Sequence, residues 1–544
     1  MSFLVPAAVL GSVAIFWASC VSSVVTEPYL DEFFHVRQAQ VYCADHFVIW
    51  DPKITTPPGL YLLSRILLAV TGRCDVVALR SLNTIGLILT LVPTAVLVGR
   101  ITQARRATDG PSLITLHSAL NVTLFPPLFF FSALYYTDVL STILVLAHYD
   151  HTLKGLYTRA TGFRHHVISV VLGASALLFR QTNIFWVAVF PAGLTAIQEL
   201  KTHCMLDEAA KTSGHASADW LNMEDLDVAD ASVEDYLFFL VAVALGAMKK
   251  PWSIVKAITP YLFLIVMFAA FVAWNGGVVL GDKSNHIATI HVPQMLYIWP
   301  YMMFFSFPLT IPVLLTAVLH FLPRQYLPLG LQSFTQRPAN HRILPRIPIV
   351  IAFVFLGLLA VKLNTIVHPF TLADNRHYVF YVFRLLLRHP IVKYVAVPIY
   401  IICAWLIIQS TGSGNLHLKN GQADSSAARR PKLSPDPTID SPKGKFSFLI
   451  IWLATTALSV VTAPLVEPRY FIIPWAVWRI NAAPIAVDVH DRQVQITKNP
   501  LWTYGILVCE TLWLALINLG TGYMFLYRGF GWPQEPGKVQ RFMW

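Results

Sequence analysis

Residues 3–25 read FLVPAAVLGSVAIFWASCVSSVV and run directly into Thr26-Glu27-Pro28-Tyr29-Leu30-Asp31-Glu32-Phe33-Phe34-His35. The first stretch carries no charge, is long enough to cross a hydrocarbon layer, and lacks the small-residue pattern of a cleaved leader, so it reads as a retained span. The second places two adjacent carboxylates among aromatics right beside that span. Such a pair is costly near lipid unless it is hydrated or used, which makes it a candidate site.

The rest of the chain agrees with a bundle built for lipid. Of 544 residues, 56% are hydrophobic and 13% charged, where a soluble domain is about one-quarter charged; the mean hydropathy is +0.58. The formal net charge of +11 is explained by topology and headgroup contact, with no nucleic-acid partner implied. Six cysteines are scattered without a CxxC pair, against both a disulfide framework and a zinc cluster, and a Cys43 to Cys74 bridge is allowed but unforced.

Apolar runs fall near 3–25, 76–98, 112–134, 167–197, 257–275, 296–319, 347–363, 391–409, 446–464 and 501–527. Shorter pieces at 60–70, 138–150, 236–248, 377–387 and 470–482 are short spans, re-entrant segments or interface helices. The expectation is an all-α polytopic membrane protein of about 11–14 crossings, with 167–197 turning at Arg180-Gln181-Thr182-Asn183. Basic clusters around Arg100, Lys154, Lys249, Arg324 to Arg346, and Arg429 to Lys445 place their loops in the cytoplasm. With 60–70 lying in the interface, the segments 26–75, 135–138, 180–183, 276–295, 364–376 and 465–469 share the opposite side. The acidic 199–235 segment and the basic, Gly/Ser/Pro-rich 411–445 segment read as cytoplasmic loops. The whole chain, 1–544, is then one transmembrane domain.

The opposite-side loops hold the unusual residues. Asp31 and His35 share a helical face, and a carboxylate partly desolvated by aromatics suits a general base acting on a sugar hydroxyl; Glu32 and Gln38 stand beside it. The plainer reading of the same run is a hydrated cap with an aromatic belt. Further along come Arg180-Gln181, then Asp282, Lys283 and His286, then His368, Asp374, Asn375, Arg376 and His377, and finally Glu467, Arg469 and Tyr470. One arginine at the end of an apolar run snorkels to headgroups, but several on one face suit a phosphodiester. No HExxH or paired DxD spacing appears, so no metal is expected, and no nucleotide-binding or nucleophile-elbow sequence calls for a cofactor.

Taken together, Pro28–His35 with Gln38-Ala39-Gln40, Trp50-Asp51-Pro52-Lys53-Ile54-Thr55-Thr56-Pro57-Pro58-Gly59-Leu60-Tyr61, Phe179–Asn183, Gly281–His286, His368-Pro369-Phe370, Leu372–Tyr378 and Glu467-Pro468-Arg469-Tyr470-Phe471 closely resemble the dolichyl-phosphate-glucose-dependent α-1,2-glucosyltransferase family. The resemblance implies the multi-spanning GT-C fold with luminal interface helices, in the endoplasmic-reticulum membrane with the active site facing the lumen. It implies dolichyl-phosphate-glucose as donor, a diglucosylated dolichyl-diphosphate-linked oligosaccharide as acceptor, and transfer of the third, terminal glucose with inversion. It places the catalytic acidic residue of the first luminal loop at Asp31. A dolichyl-phosphate-mannose transferase and a polyprenyl-linked sugar flippase are the alternatives.

Overall fold

The computed structural model describes residues 3–102, 111–159, 162–211, 225–229, 231–283, 289–319, 321–323, 344–412, 444–463, 465–482 and 500–544. His286, residues 212–224 and 230 of the 199–235 segment, and most of the 411–445 segment lie outside them. The architecture is helical, with one small antiparallel hairpin, Phe530–Trp532 with Glu535–Gln540. Helix α1 (Leu4–Val24) is followed by α2 (Glu32–Cys43), α3 (Gly59–Thr71) and α4 (Val76–Thr102).

Helix α3 shows how the sequence sets these elements. It begins after Pro57-Pro58 and stops at Gly72, whose φ of 70° suits a left-handed cap. Its 13 residues extend about 20 Å, short of the ~30 Å hydrocarbon core, so it cannot cross. One face buries Gly59, Leu60, Tyr61 and Ser64, while Ile66 and Val70 point outward. The Gly59 amide donates to the Leu178 carbonyl at 2.8 Å. A Cβ there would meet that oxygen at 2.6 Å, so the approach requires glycine. The Cys43–Cys74 disulfide ties the end of α2 to the chain between α3 and α4.

By length and composition, 7 described helices suit a crossing, or 8 if Gln294–Phe305 and Phe307–Leu319, bent by 94°, form one broken span. This is fewer than the 11–14 expected, because several apolar runs are divided. Pro126-Pro127 split 112–134 into Leu113–Thr123 and Pro126–Phe131, and Phe163–Leu177 and Phe446–Val461 are short. The 167–197 run does turn at Arg180, through a 3₁₀ segment at Gln181–Asn183. The 470–482 piece, open as a short span, a re-entrant segment or an interface helix, becomes the helix Ile472–Asn481, which lies in the core. Trp475 Nε1 donates to Ser306 Oγ at 2.9 Å and Trp478 Nε1 to Thr411 Oγ1 at 2.7 Å. Arg479, wholly buried, pairs with Glu510 at 2.6 Å.

The two ends of the bundle are held by different contacts. At one, Arg100 pairs with Asp150 at 2.7 Å, Lys201 with Asp225 and Arg346 with Glu234, and Lys445 Nζ donates to the Asp225 carbonyl at 2.9 Å. At the other, residues 280–282 dock on 52–55 through Leu280 N to Thr55 O (3.1 Å) and Asp282 N to Pro52 O (2.8 Å). The loop at 291–292 there meets Val461 and Asn364. The Arg100, Lys201, Arg346 and Lys445 contacts thus lie at the end opposite the candidate site.

If the disulfide links α2 to the start of α4, maleimide mass tagging of denatured, unreduced protein should leave Cys43 and Cys74 unmodified, and both should react after reduction. Tagging of either before reduction would contradict the pairing.

Candidate active site

Glu32, expected beside Asp31 as a catalytic carboxylate, is instead 0% exposed and fully engaged. Its Oε1 accepts from Arg80 Nε (2.8 Å) and the Tyr135 amide (2.8 Å), and its Oε2 from Arg80 Nη2 (2.7 Å) and the Tyr29 amide (3.0 Å). Arg80 also donates to the carbonyls of Val25 at 2.7 Å and Glu27 at 3.2 Å. The pair joins the end of α1, the start of α2, helix α4 and the 135 loop, and it leaves Glu32 no free acceptor for a substrate proton.

Asp31 points the other way. Its side chain is 57% exposed, and its one ion-pair contact among the described residues is Arg469 Nη2 at 3.4 Å. It follows Leu30, whose φ of 55° is unusual for a residue with a branched side chain. Arg469 is held from behind by Glu467 Oε2, at 2.8 Å from Nη2 and 3.1 Å from Nε. Its guanidinium lies 5.5 Å from the Tyr136 ring centroid and 5.7 Å from that of Phe131. Nη1 makes no hydrogen bond to protein among the described residues, so the fork keeps an unused donor next to Asp31.

A second guanidinium converges on the same place. Arg180 Nη1 is 3.0 Å from Asp138 Oδ1, and its fork lies over the Tyr470 ring at 5.7 Å. His35 Nδ1 is 2.7 Å from Tyr61 Oη, under the same loop. Burial, the dominant cause, pulls the His35 ring down to about 4, with Asp31 opposing and Arg469 adding to the shift. The ring is therefore neutral at pH 7. Burial likewise raises the Tyr136 hydroxyl well above its ordinary range.

Several other expected residues hold the loops. Gln38 spans 49–51, donating to the Ile49 carbonyl at 2.7 Å and accepting from the Asp51 amide at 2.8 Å. Gln181 donates to the Thr55 carbonyl at 2.7 Å. Asp282 enters through its backbone, Lys283 turns back to the Asn275 carbonyl, and His368 caps the next short helix through the Phe370 amide at 3.3 Å. Arg376 is paired with Asp374 at 2.7 Å, donates to Gln540 Oε1 at 3.0 Å, and stacks over Trp532 at 4.4 Å. Asn375 accepts from Trp532 Nε1 at 2.9 Å, and His377 Nδ1 is 3.3 Å from the Trp544 carbonyl oxygen.

Arg80 and Asp138 were missed by sequence reasoning. An arginine inside the apolar 76–98 run was the available signal for the first. The second opens a helix, where an acidic residue reads as ordinary dipole compensation.

Fold and site together define a multi-spanning membrane protein with a carboxylate–guanidinium site at one end of its bundle. The chain belongs to the DIE2/ALG10 family, whose model matches residues 25–480. It is 40% identical over 590 residues, 97% of this chain and 96% of the relative, to the Emericella nidulans protein named Dol-P-Glc:Glc(2)Man(9)GlcNAc(2)-PP-Dol alpha-1,2-glucosyltransferase. A Homo sapiens protein of the same name is 33% identical over 97% of this chain and 95% of its own length. Among solved structures, the archaeal oligosaccharyltransferase AglB from Archaeoglobus fulgidus overlays 94% of this chain and 54% of its own, at 13% identity and a TM-score of 0.35.

Two measurements check this account. Arg80→Leu strands a buried carboxylate and should cost about 3–5 kcal/mol, read as a fall in thermal midpoint in detergent; an unchanged midpoint would contradict the anchor. The unfolded chain protonates His35 near 6.5 and the folded one near 4, so the unfolded state binds the proton first on acidification. The stabilisation is complete above about pH 6.5 and is lost as pH falls toward 4. His35→Gln should flatten the midpoint-against-pH curve in that window.

Proposed function

We propose that this protein transfers a glucosyl unit from dolichyl-phosphate-glucose, in α-1,2 linkage and with inversion, to the diglucosylated dolichyl-diphosphate-linked oligosaccharide. The reading rests on near-full-length similarity to proteins bearing that name. The observation that carries the mechanism is the half-open Asp31 carboxylate 3.4 Å from a buried-side arginine with a spare donor.

Asp31 takes the proton from the acceptor 2-hydroxyl as its oxygen attacks the anomeric carbon from the face opposite the phosphate. The bond from that carbon to the phosphate oxygen breaks, and its electron pair leaves with dolichyl phosphate. No general acid is required, because a phosphate leaves more readily than a sugar alcohol, in contrast to the two-carboxylate demand of inverting glycosidases. Arg469 and Arg180 stabilise the growing phosphate charge. Arg376 supports this end from the side, with each of its three guanidinium nitrogens donating to Asp374 or Gln540. Tyr136, Tyr470 and the neutral His35 stand around these charges.

The reading also assigns the GT-C fold and an orientation, with the Asp31 end in the lumen of the endoplasmic reticulum. One feature supports that side: the Cys43–Cys74 disulfide lies at the Asp31 end, where an oxidising compartment would preserve it.

Purified protein in detergent, given defined donor and acceptor, should transfer glucose without a second compartment and should fail with dolichyl-phosphate-mannose. Asp31→Asn should lose about 10²- to 10⁴-fold in turnover. Arg469→Lys should raise donor KM roughly tenfold, through one lost charge-assisted hydrogen bond. Transfer from the mannose donor alone, or an Asp31→Asn enzyme keeping more than about a third of its turnover, would refute the reading.

A further inference from the structure

Residues 528–544 take no part in the chemistry above, yet they are bound to the peptide that presents Asp31. Tyr29 Oη donates to the Arg541 carbonyl at 2.8 Å and accepts from the Arg541 amide at 2.7 Å, so one hydroxyl closes both main-chain groups of that residue. The Arg541 guanidinium donates to the carbonyls of Phe525 (2.8 Å) and Leu526 (2.7 Å), filling the open end of helix Pro500–Tyr527. The next residues are laced to the 374–378 loop: the Met543 amide donates to the Arg376 carbonyl at 2.9 Å and the Tyr378 amide to the Met543 carbonyl at 3.1 Å. The hairpin just before them holds Arg376 under Trp532 and Gln540.

On the other side of Tyr29 stand the left-handed Leu30 and then Asp31. The amide of Tyr29 goes to Glu32 and its carbonyl accepts from Tyr136 Oη at 3.3 Å, so its hydroxyl is the handle that reaches residue 541. Among the described residues the Asp31 side chain has only the 3.4 Å contact to Arg469. Its placement must come from the backbone, and a left-handed non-glycine residue persists only where its neighbours over-determine it.

We infer that Tyr29 and the main chain of Arg541 form a brace that positions Asp31, with residues 530–544 carrying its load to the Arg376 loop. Tyr29 is a positioning residue; it meets no reacting atom. The inference rests on Asp31 being the base, and the test keeps the two apart.

Tyr29→Phe removes the hydroxyl alone, and Trp532→Ala loosens the hairpin well away from Asp31. Kinetics per folded molecule should show kcat falling about tenfold or more in Tyr29→Phe, the scale expected for a base displaced by ~1 Å. Donor KM should stay within about twofold, Trp532→Ala should show a smaller loss of the same kind, and the double variant should lose no more than the worse single, since both act through one contact. Wild-type kcat in both folded singles, a loss carried by donor KM, or additive losses that track the thermal midpoint would overturn the brace. Asp31→Asn is assayed in parallel. If it retains turnover the base assignment fails, whereas a dead Asp31→Asn with an unaffected Tyr29→Phe rejects the brace alone.

Discussion

A carboxylate withdrawn from water beside an apolar bundle must be matched atom by atom, and Glu32 is: two donors from Arg80 and two backbone amides leave it no free acceptor. Removing either charged partner would strand the other in a low-dielectric interior, so the pair fixes where four chain segments meet. Arg80 uses its remaining donors on the carbonyls of Val25 and Glu27, at the end of α1. With α1, α2, α4 and the 135 loop joined at this point, the following turn of chain has little freedom, and it carries Asp31 outward.

Everything that gives Asp31 a chemical role is arranged around that turn. Arg469 comes from the 3₁₀ turn Pro468–Phe471, which leads into the buried helix Ile472–Asn481. The helix is held by Trp475, Trp478 and the Arg479–Glu510 pair, so the guanidinium approaches from a rigid base. Arg180 enters from the break between Phe163–Leu177 and the following span, with Asp138 behind it. Each arginine has a carboxylate on its inner side and an aromatic ring against its face, which keeps both forks extended before any phosphate arrives.

Much of this was legible in the residues. The Thr26–His35 run marked the site, Pro57-Pro58 marked the start of a helix too short to cross, and Arg180-Gln181-Thr182-Asn183 marked a break. The division of labour within the site was not. Asp31 and Glu32 are neighbours with the same chemistry, and which one is buried depends on Arg80, 48 positions away. Arg376 and Arg469 look equally suited to phosphate in sequence. Their partners separate them, since each guanidinium nitrogen of Arg376 already donates to Asp374 or Gln540 and its plane lies over Trp532, while Arg469 Nη1 makes no hydrogen bond to protein among the described residues. The part played by residues 528–544 was invisible for a similar reason. Its contacts to Tyr29 span 512 positions and use the main chain of Arg541, which leaves no side-chain signature.

The central claim is that Asp31 and the Arg469–Arg180 pair form one reaction centre. A structure with dolichyl phosphate bound tests it most directly. The account predicts the phosphate within hydrogen-bonding reach of Arg469 Nη1, about 2.7–3.2 Å, with Arg180 beside it and the Asp31 carboxylate facing the space the sugar would fill. A phosphate seated on Arg376 or Lys283, with Arg469 still closed on Glu467 and Asp31, would contradict it.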